Sequence, residues 1–362
     1  MSNVCNPNNV SGLKQADFQK DINGKKTDLF ILTNKLGNEV AFTNYGGALL
    51  TIMMPDRNGK LGNVVQGHDS IDKVIASPEP FLSTLIGRYG NRIKHGKFTL
   101  DGQEYTLAVN NGPNHLHGGS KGFANQLWES RVETNRVVFS RISPDGEQNY
   151  PGELYVEVGY YFGEDNALEI TFAAKSDKTT VVNLTNHTYW NLAGEGSGRD
   201  ILDHELRLNC SNVLEMDPTQ IPTGRLLEVK GTPQDFTTGR KFGEELLSEF
   251  NHMKDFKGYD HFFVLDGWKP NILSEVGELR CEATGRKVEI LSSQAGAMIY
   301  TGNWLEGGCP ITKSGSRYKD YAGVAIECQN YPDAPNKPDY PNCVLRPGEV
   351  YQQAIIYAFG IR

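Results

Sequence analysis

The segment LYVEVGYYFGEDNALEITFAAK, residues 154–175, decides the fold class of this 362-residue chain. Two runs with an apolar side chain at every second position flank the pair Asp165-Asn166. Period-2 alternation is typical of a β-strand with one buried face, and an Asp-Asn pair favours a tight turn. The segment therefore predicts an antiparallel hairpin. Its buried face takes Leu154, Val156, Val158, Tyr160, Phe162, Leu168, Ile170, Phe172 and Ala174.

The same alternation recurs along the chain, in KFTLDGQEYTLAVN (97–110), NRVVFSRI (135–142), GRKVEIL (285–291) and VYQQAIIYAF (350–359). Turn dipeptides such as Asp101-Gly102 separate many of these runs. Helical periodicity is weak and is confined to SIDKVIAS (70–77) and GEELLSEFNHM (243–253). The pattern predicts an all-β fold, a large antiparallel β-sandwich or barrel with few short helices. We expect one domain over residues 1–362, with residues 1–24 as a polar N-terminal extension.

Composition narrows the possible partners and the location. The net charge is −8 and no run of Lys and Arg occurs, which argues against a nucleic-acid partner. No apolar run reaches the roughly 18 residues of a membrane span, and the amino terminus lacks the layout of a signal peptide. A cytoplasmic location is the expectation. The six cysteines are spread singly, which suggests neither a zinc ribbon nor a redox motif.

The segment NLTNHTYWNL, residues 183–192, is the strongest indication of chemistry. Histidine exchanges protons near neutral pH, and amides and aromatic rings suit a neutral, hydroxyl-rich ligand such as a sugar. Taken alone, however, a histidine in a strand is more often a structural residue than a catalyst. By strand parity, Tyr189 shares a face with His187 and Trp190 packs in the core. Three asparagines surround the histidine: Asn183, Asn186 and Asn191.

Two glycine-rich segments offer further polar side chains. In IGRYGNRIKHGKF (86–98), Asn91 and Arg92 lie beside glycines that allow close backbone approach to a ligand, although for this segment alone a surface turn with a salt-bridged arginine is the commoner case. In NNGPNHLHGG (110–119), His115 and His117 would share one face if the segment is extended. A third metal ligand at the usual spacing is lacking, so we favour a rigid loop with one useful histidine over a metal site.

Three more segments place polar residues at or near strands. Asp260 begins the apolar run in GYDHFFVL (258–265). Gln294 and Asn303 lie in SSQAGAMIYTGNWL (292–305), as sugar contacts or as ordinary sheet-edge amides. Glu327 ends the run AGVAIE before a Pro-rich loop, which suits a general base, although an exposed strand-end glutamate is the commoner case.

Taken in order, these segments resemble the aldose 1-epimerase (galactose mutarotase) family. The matching stretches cover roughly residues 25–360: GRYGNRI, NHLHGG, RISPDGEQNYPGEL, NLTNHTYWNLAG, IPTG, GYDHFF, YTGN, ECQNYPDAPN and LRPGE. The resemblance implies a galactose-mutarotase-like supersandwich, an open sugar cleft, and neither metal nor organic cofactor. It implies a small-molecule sugar, D-galactose or D-glucose, as substrate, and we expect a monomer or homodimer.

The resemblance also implies roles for individual residues. His187 corresponds to the general acid of the family and Glu327 to its general base. The residues on sugar-binding positions are Asn91, Arg92, His117, Asp260 and Gln294. Glu327 would take the proton from the C1 hydroxyl while His187 gives one to the ring oxygen, so the ring opens and recloses from either face. For this we expect an ionised Glu327 and an at least partly charged His187.

Three alternatives stay open at this stage. An epimerase of hexose 6-phosphates would need additional Arg or Lys for the phosphate. A glycosidase would pair Glu327 with Asp260 and leave His187 unused. A carbohydrate-binding protein without catalysis would need no titrating pair. We expect local variation in the Pro-rich loop after Glu327 and in EGGCPITKSGSRYKDY (306–321).

Overall fold

The hairpin predicted from residues 154–175 is present in the computed structural model, which describes residues 9–306, 315 and 317–362. Strand Leu154–Phe162 pairs antiparallel with Ala167–Ser176, and Asn166 adopts the left-handed conformation in the turn between them. Every second side chain of the two strands is buried, from Leu154 to Ala174. The turn chemistry and the apolar alternation therefore agree on one register.

This hairpin forms part of a nine-stranded antiparallel sheet. The predicted runs 135–142, 285–291 and 350–359 are also strands of this sheet. Their buried apolar side chains lie on the same face as those of the hairpin. In spatial order the strands are Glu129–Glu133, Arg136–Ser143, Leu154–Phe162, Ala167–Ser176, Tyr351–Ile361, Arg286–Ser292, Ser274–Arg280, Glu205–Leu208 and Arg240–Lys241.

Two further sheets complete the main architecture. The six-stranded sheet has the order Tyr189–Trp190, Val324–Gln329, Gly296–Tyr300, Asp260–Val264, Asn212–Met216 and Pro222–Glu228. The four-stranded sheet has the order Leu29–Thr33, Glu39–Thr43, Leu49–Pro55 and Leu61–Asn63. All the strand pairs of these two sheets are antiparallel. The predicted all-β antiparallel fold is confirmed.

Short ladders of two strands lie outside these three sheets. They pair Asp21–Ile22 with Lys25–Lys26, Leu85–Ile86 with Thr185–Asn186, Arg92–Ile93 with His115–Leu116, Lys97–Leu100 with Gln103–Thr106, and Thr180–Val181 with Val344–Leu345. The ladder over 97–106 is the hairpin predicted around Asp101-Gly102, and both turn residues have positive φ as a type I′ turn requires.

The helix prediction is half right. Within the described residues the α-helix is Ile71–Ile75, inside the predicted 70–77, and the Ser70 hydroxyl caps it by accepting from the Lys73 amide. The prediction over 243–253 is wrong, because left-handed Glu245, Asn251 and His252 interrupt any helix there. The 3₁₀ turns are Gln15–Phe18, Lys94–Gly96, Phe123–Asn125, Glu147–Asn149, Glu195–Ser197, Phe250–His252 and Ala334–Asn336.

The main core is formed by the inner face of the nine-stranded sheet together with side chains of the six-stranded and four-stranded sheets. Val324, Ile326 and Cys328 point into it from strand Val324–Gln329, together with the inner face of the long hairpin. Trp190 packs here as predicted, with its ring centroid 4.7 Å from that of Tyr357. The alternate residues of strand Val324–Gln329 are buried too, so its second face is covered by other parts of the chain. Hydrophobic burial thus fixes which residues of this strand face away from the core.

The first described residues of the chain are mostly polar in composition, but apolar side chains among them are buried in the fold. Leu13 and Phe18 are buried against Leu29, Ile31 and other residues of the four-stranded sheet. Part of the predicted extension is therefore tied to the fold. None of the helices in the described residues is both long and apolar enough to span a bilayer. The described cysteines 210, 281, 328 and 343 are free and buried, and Cys5 and Cys309 lie outside the described residues.

Candidate active site

The six-stranded sheet carries the candidate site on the face turned away from the core. Asp260 lies opposite Tyr300, and Glu327 lies opposite Met298, which is two positions before Tyr300 on the same strand. Because cross-strand partners share a face, and so do alternate residues of one strand, Asp260 and Glu327 lie on the same face. Glu327 occupies the middle of strand Val324–Gln329 rather than its end, and only 2% of the residue is exposed. The sequence suggested a strand end because the Pro-rich segment begins soon after. Glutamate is seldom fully buried, so its presence on a strand that is buried on both faces indicates a specific role.

His187 is held by its backbone between two short strands. Its amide donates to the Thr84 carbonyl at 2.9 Å, and its carbonyl accepts from the Ser83 amide at 3.1 Å. The neighbouring asparagines serve the fold and not the site. Asn183 bonds to Gly90 and Asn330, Asn186 to Tyr160 and Thr188, and Asn191 to Arg199, Ala322 and Ala193.

His187 and Glu327 face each other, with Nε2 of the histidine 3.4 Å from Oε1 of the glutamate. Burial lowers the pKa of His187 to about 4 and raises the pKa of Glu327 well above its usual range, with the Asp260 carboxylate adding to the second shift. In the ligand-free pocket these directions favour a protonated glutamate beside a neutral histidine. Both this state and the ion pair expected from the sequence carry one transferable proton on the two side chains. They differ only in whether that proton lies on Glu327 or on His187.

Asn91 and His117 hold each other through their backbones. The His117 amide donates to the Asn91 carbonyl at 3.1 Å, and the Asn91 amide donates to Nδ1 of His117 at 3.1 Å. Both residues have positive φ. A neutral imidazole has one free lone pair, and the Asn91 amide uses it, so Nε2 of His117 carries the proton. His117 is therefore a hydrogen-bond donor through Nε2.

This tautomer bears on metal binding. His117, His187 and Glu327 bring one nitrogen or oxygen atom each within 4.8 Å of one another, and two histidines with a carboxylate are a familiar metal-ligand set. A metal ligand needs a free lone pair, which His117 lacks while it accepts from the Asn91 amide. The donor set thus fits a sugar hydroxyl better than it fits a cation.

Arg92 and Asp260 form another part of the pocket wall. Nη2 of Arg92 lies 3.7 Å from Oδ2 of Asp260, and the Gln220 side chain bonds to both groups. Nε of Arg92 donates to the Asn111 side chain at 3.0 Å. Burial raises the pKa of Asp260, and the Arg92 guanidinium opposes that shift. These paired groups present fixed donors and acceptors of the kind that a set of sugar hydroxyls requires.

The walls enclose a cavity of about 290 Å³, close to the lower end of the range of about 300–1,000 Å³ that is usual for ligand sites. His187 lies between two rings, with the Tyr189 centroid at 4.9 Å and the Phe81 centroid at 6.2 Å. Tyr189 lines the cavity on the same side as His187, as the parity argument predicts. Trp304 lines the cavity as well and is 59% exposed.

Two residues singled out in the sequence lie apart from the cavity lining. His115 does not share a face with His117, because the left-handed turn at His117 ends the extended segment. Its Nδ1 donates to the Ala108 carbonyl, and its Nε2 accepts from the Tyr150 hydroxyl. Gln294 is buried and donates to the Leu184 carbonyl and the Tyr351 hydroxyl, so its role toward the sugar stays a prediction.

Sequence reasoning missed several lining residues. Tyr300 and Trp304 occur in the same segment as Gln294, and Gln220 directly precedes the stretch IPTG, so the available signals were the aromatic residues of the first motif and the amide that flanks the second. Glu79 also lines the cavity, and its segment SPEPF carries no recognisable signal. Asn303 supports the fold by donating to the Phe256 and Tyr259 carbonyls.

Gly118 offers a test of how the loop positions His117. A Cβ atom at Gly118 would lie 1.8 Å from the Gly87 carbonyl oxygen, whereas Gly102, with nearly the same φ, has open space around it. We expect Gly118→Ala to lower the free energy of unfolding by about 1–3 kcal/mol more than Gly102→Ala does, because backbone must move. Urea unfolding measures the difference. Equal losses in the two variants would show that the close approach is unimportant.

The chain is similar to known proteins over most of its length. The family model described as aldose 1-epimerase matches residues 28–358. Galactose mutarotase of Bos taurus is 41% identical over 322 residues, which are 89% of this chain and 91% of the relative. Aldose 1-epimerase of Escherichia coli K12 is 35% identical over 345 residues, which are 93% and 96% of the two chains.

Solved structures show the same fold. The aldose epimerase homologue of C. elegans superposes with a TM-score of 0.83 at 31% identity, and the match covers 92% of this chain and 99% of that one. Galactose 1-epimerase of Lactobacillus acidophilus gives a TM-score of 0.81 at 26% identity, with 94% and 97% covered. The chain belongs to the aldose 1-epimerase family.

Proposed function

We propose that this enzyme interconverts the α and β anomers of D-galactose and D-glucose. The observation that carries the proposal is the buried pair His187–Glu327, with 3.4 Å between Nε2 and Oε1. O1 and O5 of an aldopyranose are bonded to the same carbon. An acid and a base this close together can therefore serve both oxygens in one step.

The reaction needs one proton on the pair. Glu327 takes the proton of the C1 hydroxyl, His187 gives its proton to O5, and the C1–O5 bond breaks to leave an open-chain aldehyde. Rotation about C1–C2 presents the other face of the carbonyl to the C5 hydroxyl. Ring closure then returns the proton of that hydroxyl to His187 and the proton of Glu327 to O1.

Burial favours the state of the pair that exists after ring opening, with the proton on Glu327 and a neutral His187. Sugar hydroxyls entering the cavity would stabilise the charged state by hydrogen bonding. Asn91, Arg92, His117 and Asp260 would hold the remaining hydroxyls. Gln294 lies outside the cavity lining and would act on the sugar indirectly, through its hydrogen bonds to the Leu184 carbonyl and the Tyr351 hydroxyl.

The alternative of a hexose 6-phosphate substrate has less support. Among the described residues that line the cavity, Arg92 is the one permanent cation, and Asp260 and Gln220 already engage it. We keep as proposals a single domain over residues 1–362, a cytoplasmic location, a monomer or homodimer, and catalysis without a metal or organic cofactor.

Polarimetry tests the activity directly. Freshly dissolved α-D-galactose should reach anomeric equilibrium faster with micromolar protein than in buffer. Glu327→Gln keeps the size of the side chain but loses the base, so we expect the rate constant to fall by about 10²–10⁴ while galactose still binds. Glu228→Gln, on an exposed strand outside the cavity, is the matched control. Unaccelerated rotation with the wild-type protein would refute the proposed activity.

The dependence of kcat/KM on pH tests the one-proton pair. Because the pKa of His187 is lowered to about 4, activity should persist as the pH falls through about 6.5 and decline only near pH 4, when the pair gains a second proton. On the alkaline side it should decline as Glu327, whose pKa is raised, loses its proton. An acid limb with a midpoint near 6.5 would instead indicate an ordinary, solvated histidine.

A further inference from the structure

Glu79 is a carboxyl group of the cavity for which ring opening has no use. It lies between helix Ile71–Ile75 and strand Leu85–Ile86, and it lines the same cavity as His187 and Glu327. Its Oε1 accepts from the Phe81 amide at 3.3 Å. The Phe81 ring in turn lies 4.7 Å from the His117 ring. Glu79 therefore belongs to the turn that covers the two histidines.

Carboxyl groups outnumber permanent cations in the described lining of the cavity. Its described lining has the three carboxyl groups of Glu79, Asp260 and Glu327 and one permanent cation, Arg92. Asp260 engages that cation, with 3.7 Å between Nη2 and Oδ2. This leaves two carboxyl groups without a cationic partner in the lining, and the reaction accounts for only one of them.

A lysine beside the rim residue Trp304 is also engaged. Nζ of Lys257 lies 2.7 Å from Oδ2 of Asp320 and 4.0 Å from the ring centroid of Trp304, which lines the mouth of the cavity. An anionic group on a bound sugar would thus meet the Glu79 carboxylate without a free cation among the described lining residues. A cationic group would meet an unpaired carboxylate in a partly dehydrated pocket, where Coulomb interactions are stronger than in water.

We propose that Glu79 selects substrates by charge, so that the site favours aldoses that carry an ammonium group over aldoses that carry a carboxylate or phosphate. The proposal rests on the proposed anomer interconversion and names a residue that sets its substrate range. Glu79 would act both by attracting the cation and by repelling the anion, which is how one group discriminates between ligands of similar shape.

The ionisation state of Glu79 fixes the conditions of the test. Burial raises its pKa to about 7, so at about pH 8 most of the carboxyl is ionised. At that pH an amino group on C6 of galactose is cationic and a carboxyl group on C6 is anionic. The sugars 6-amino-6-deoxygalactose and galacturonic acid therefore carry opposite charges at one carbon atom.

The experiment uses each charged sugar, brought to anomeric equilibrium beforehand, as a competitor of galactose turnover followed by polarimetry. The wild-type enzyme should be inhibited more strongly by the amino sugar than by the acid. In Glu79→Gln the ratio of the two inhibition constants should shift toward the acid by about tenfold. The glutamine oxygen can still accept from the Phe81 amide, so the substitution removes the charge and keeps the bond.

Two further variants serve as controls. Glu79→Asp keeps the charge and should keep the wild-type order of the two inhibitors. Glu228→Gln removes the same charge at an exposed position on strand Pro222–Glu228 and should leave the ratio unchanged. A ratio that Glu79→Gln leaves within about twofold of wild type, or equal inhibition of the wild type by both sugars, would overturn the proposal. Failure of the wild type to accelerate galactose mutarotation would instead refute the proposed function.

Discussion

The whole site depends on a strand that is buried on both faces. Strand Val324–Gln329 gives Val324, Ile326 and Cys328 to the core, and so its pleat turns Glu327 to the opposite face. A carboxyl group in that position loses most of its hydration, and its neutral form is favoured. The same burial disfavours the charged form of His187. Hydrophobic packing of the sandwich thus creates a pair that retains a single proton.

The polar groups of the pocket walls are buried too, but they have hydrogen-bond or charged partners that offset the cost of losing their hydration. The His117 amide donates to the Asn91 carbonyl, and the Asn91 amide donates to Nδ1 of His117 and so fixes the tautomer of the imidazole. Arg92 and Asp260 compensate each other and share the Gln220 side chain. Donors and acceptors held in this way need little reorganisation when a sugar enters, and preorganisation of this kind favours both binding and proton transfer.

Local alternation and turn residues predicted most of the fold. The long hairpin, the type I′ turn at Asp101-Gly102 and the opposite faces of Tyr189 and Trp190 follow from a period of two. The prediction failed at 243–253, where left-handed residues interrupt an apolar pattern that resembles a helix. Glycine is the clearest sequence marker of such backbone reversals, and here glutamate, asparagine and histidine adopt them instead.

The site was predictable in part because its residues lie in unusual, matched motifs. Glu79 reaches the cavity through tertiary packing alone, and no local pattern marks it. The pKa directions were predicted wrongly for the ligand-free protein, because sequence reveals residue types but not how deeply the pair is buried. The resemblance likewise gave no means of seeing that Gln294 donates to Leu184 and Tyr351.

The central claim is that His187 and Glu327 act as one proton-sharing unit. The most direct test compares the polarimetric rate constants of His187→Asn, Glu327→Gln and the double variant on galactose. Groups that work as a unit are strongly non-additive, so the double variant should be within about threefold of the slower single variant. Losses that multiply in the double variant would contradict the account, because each residue would then contribute independently.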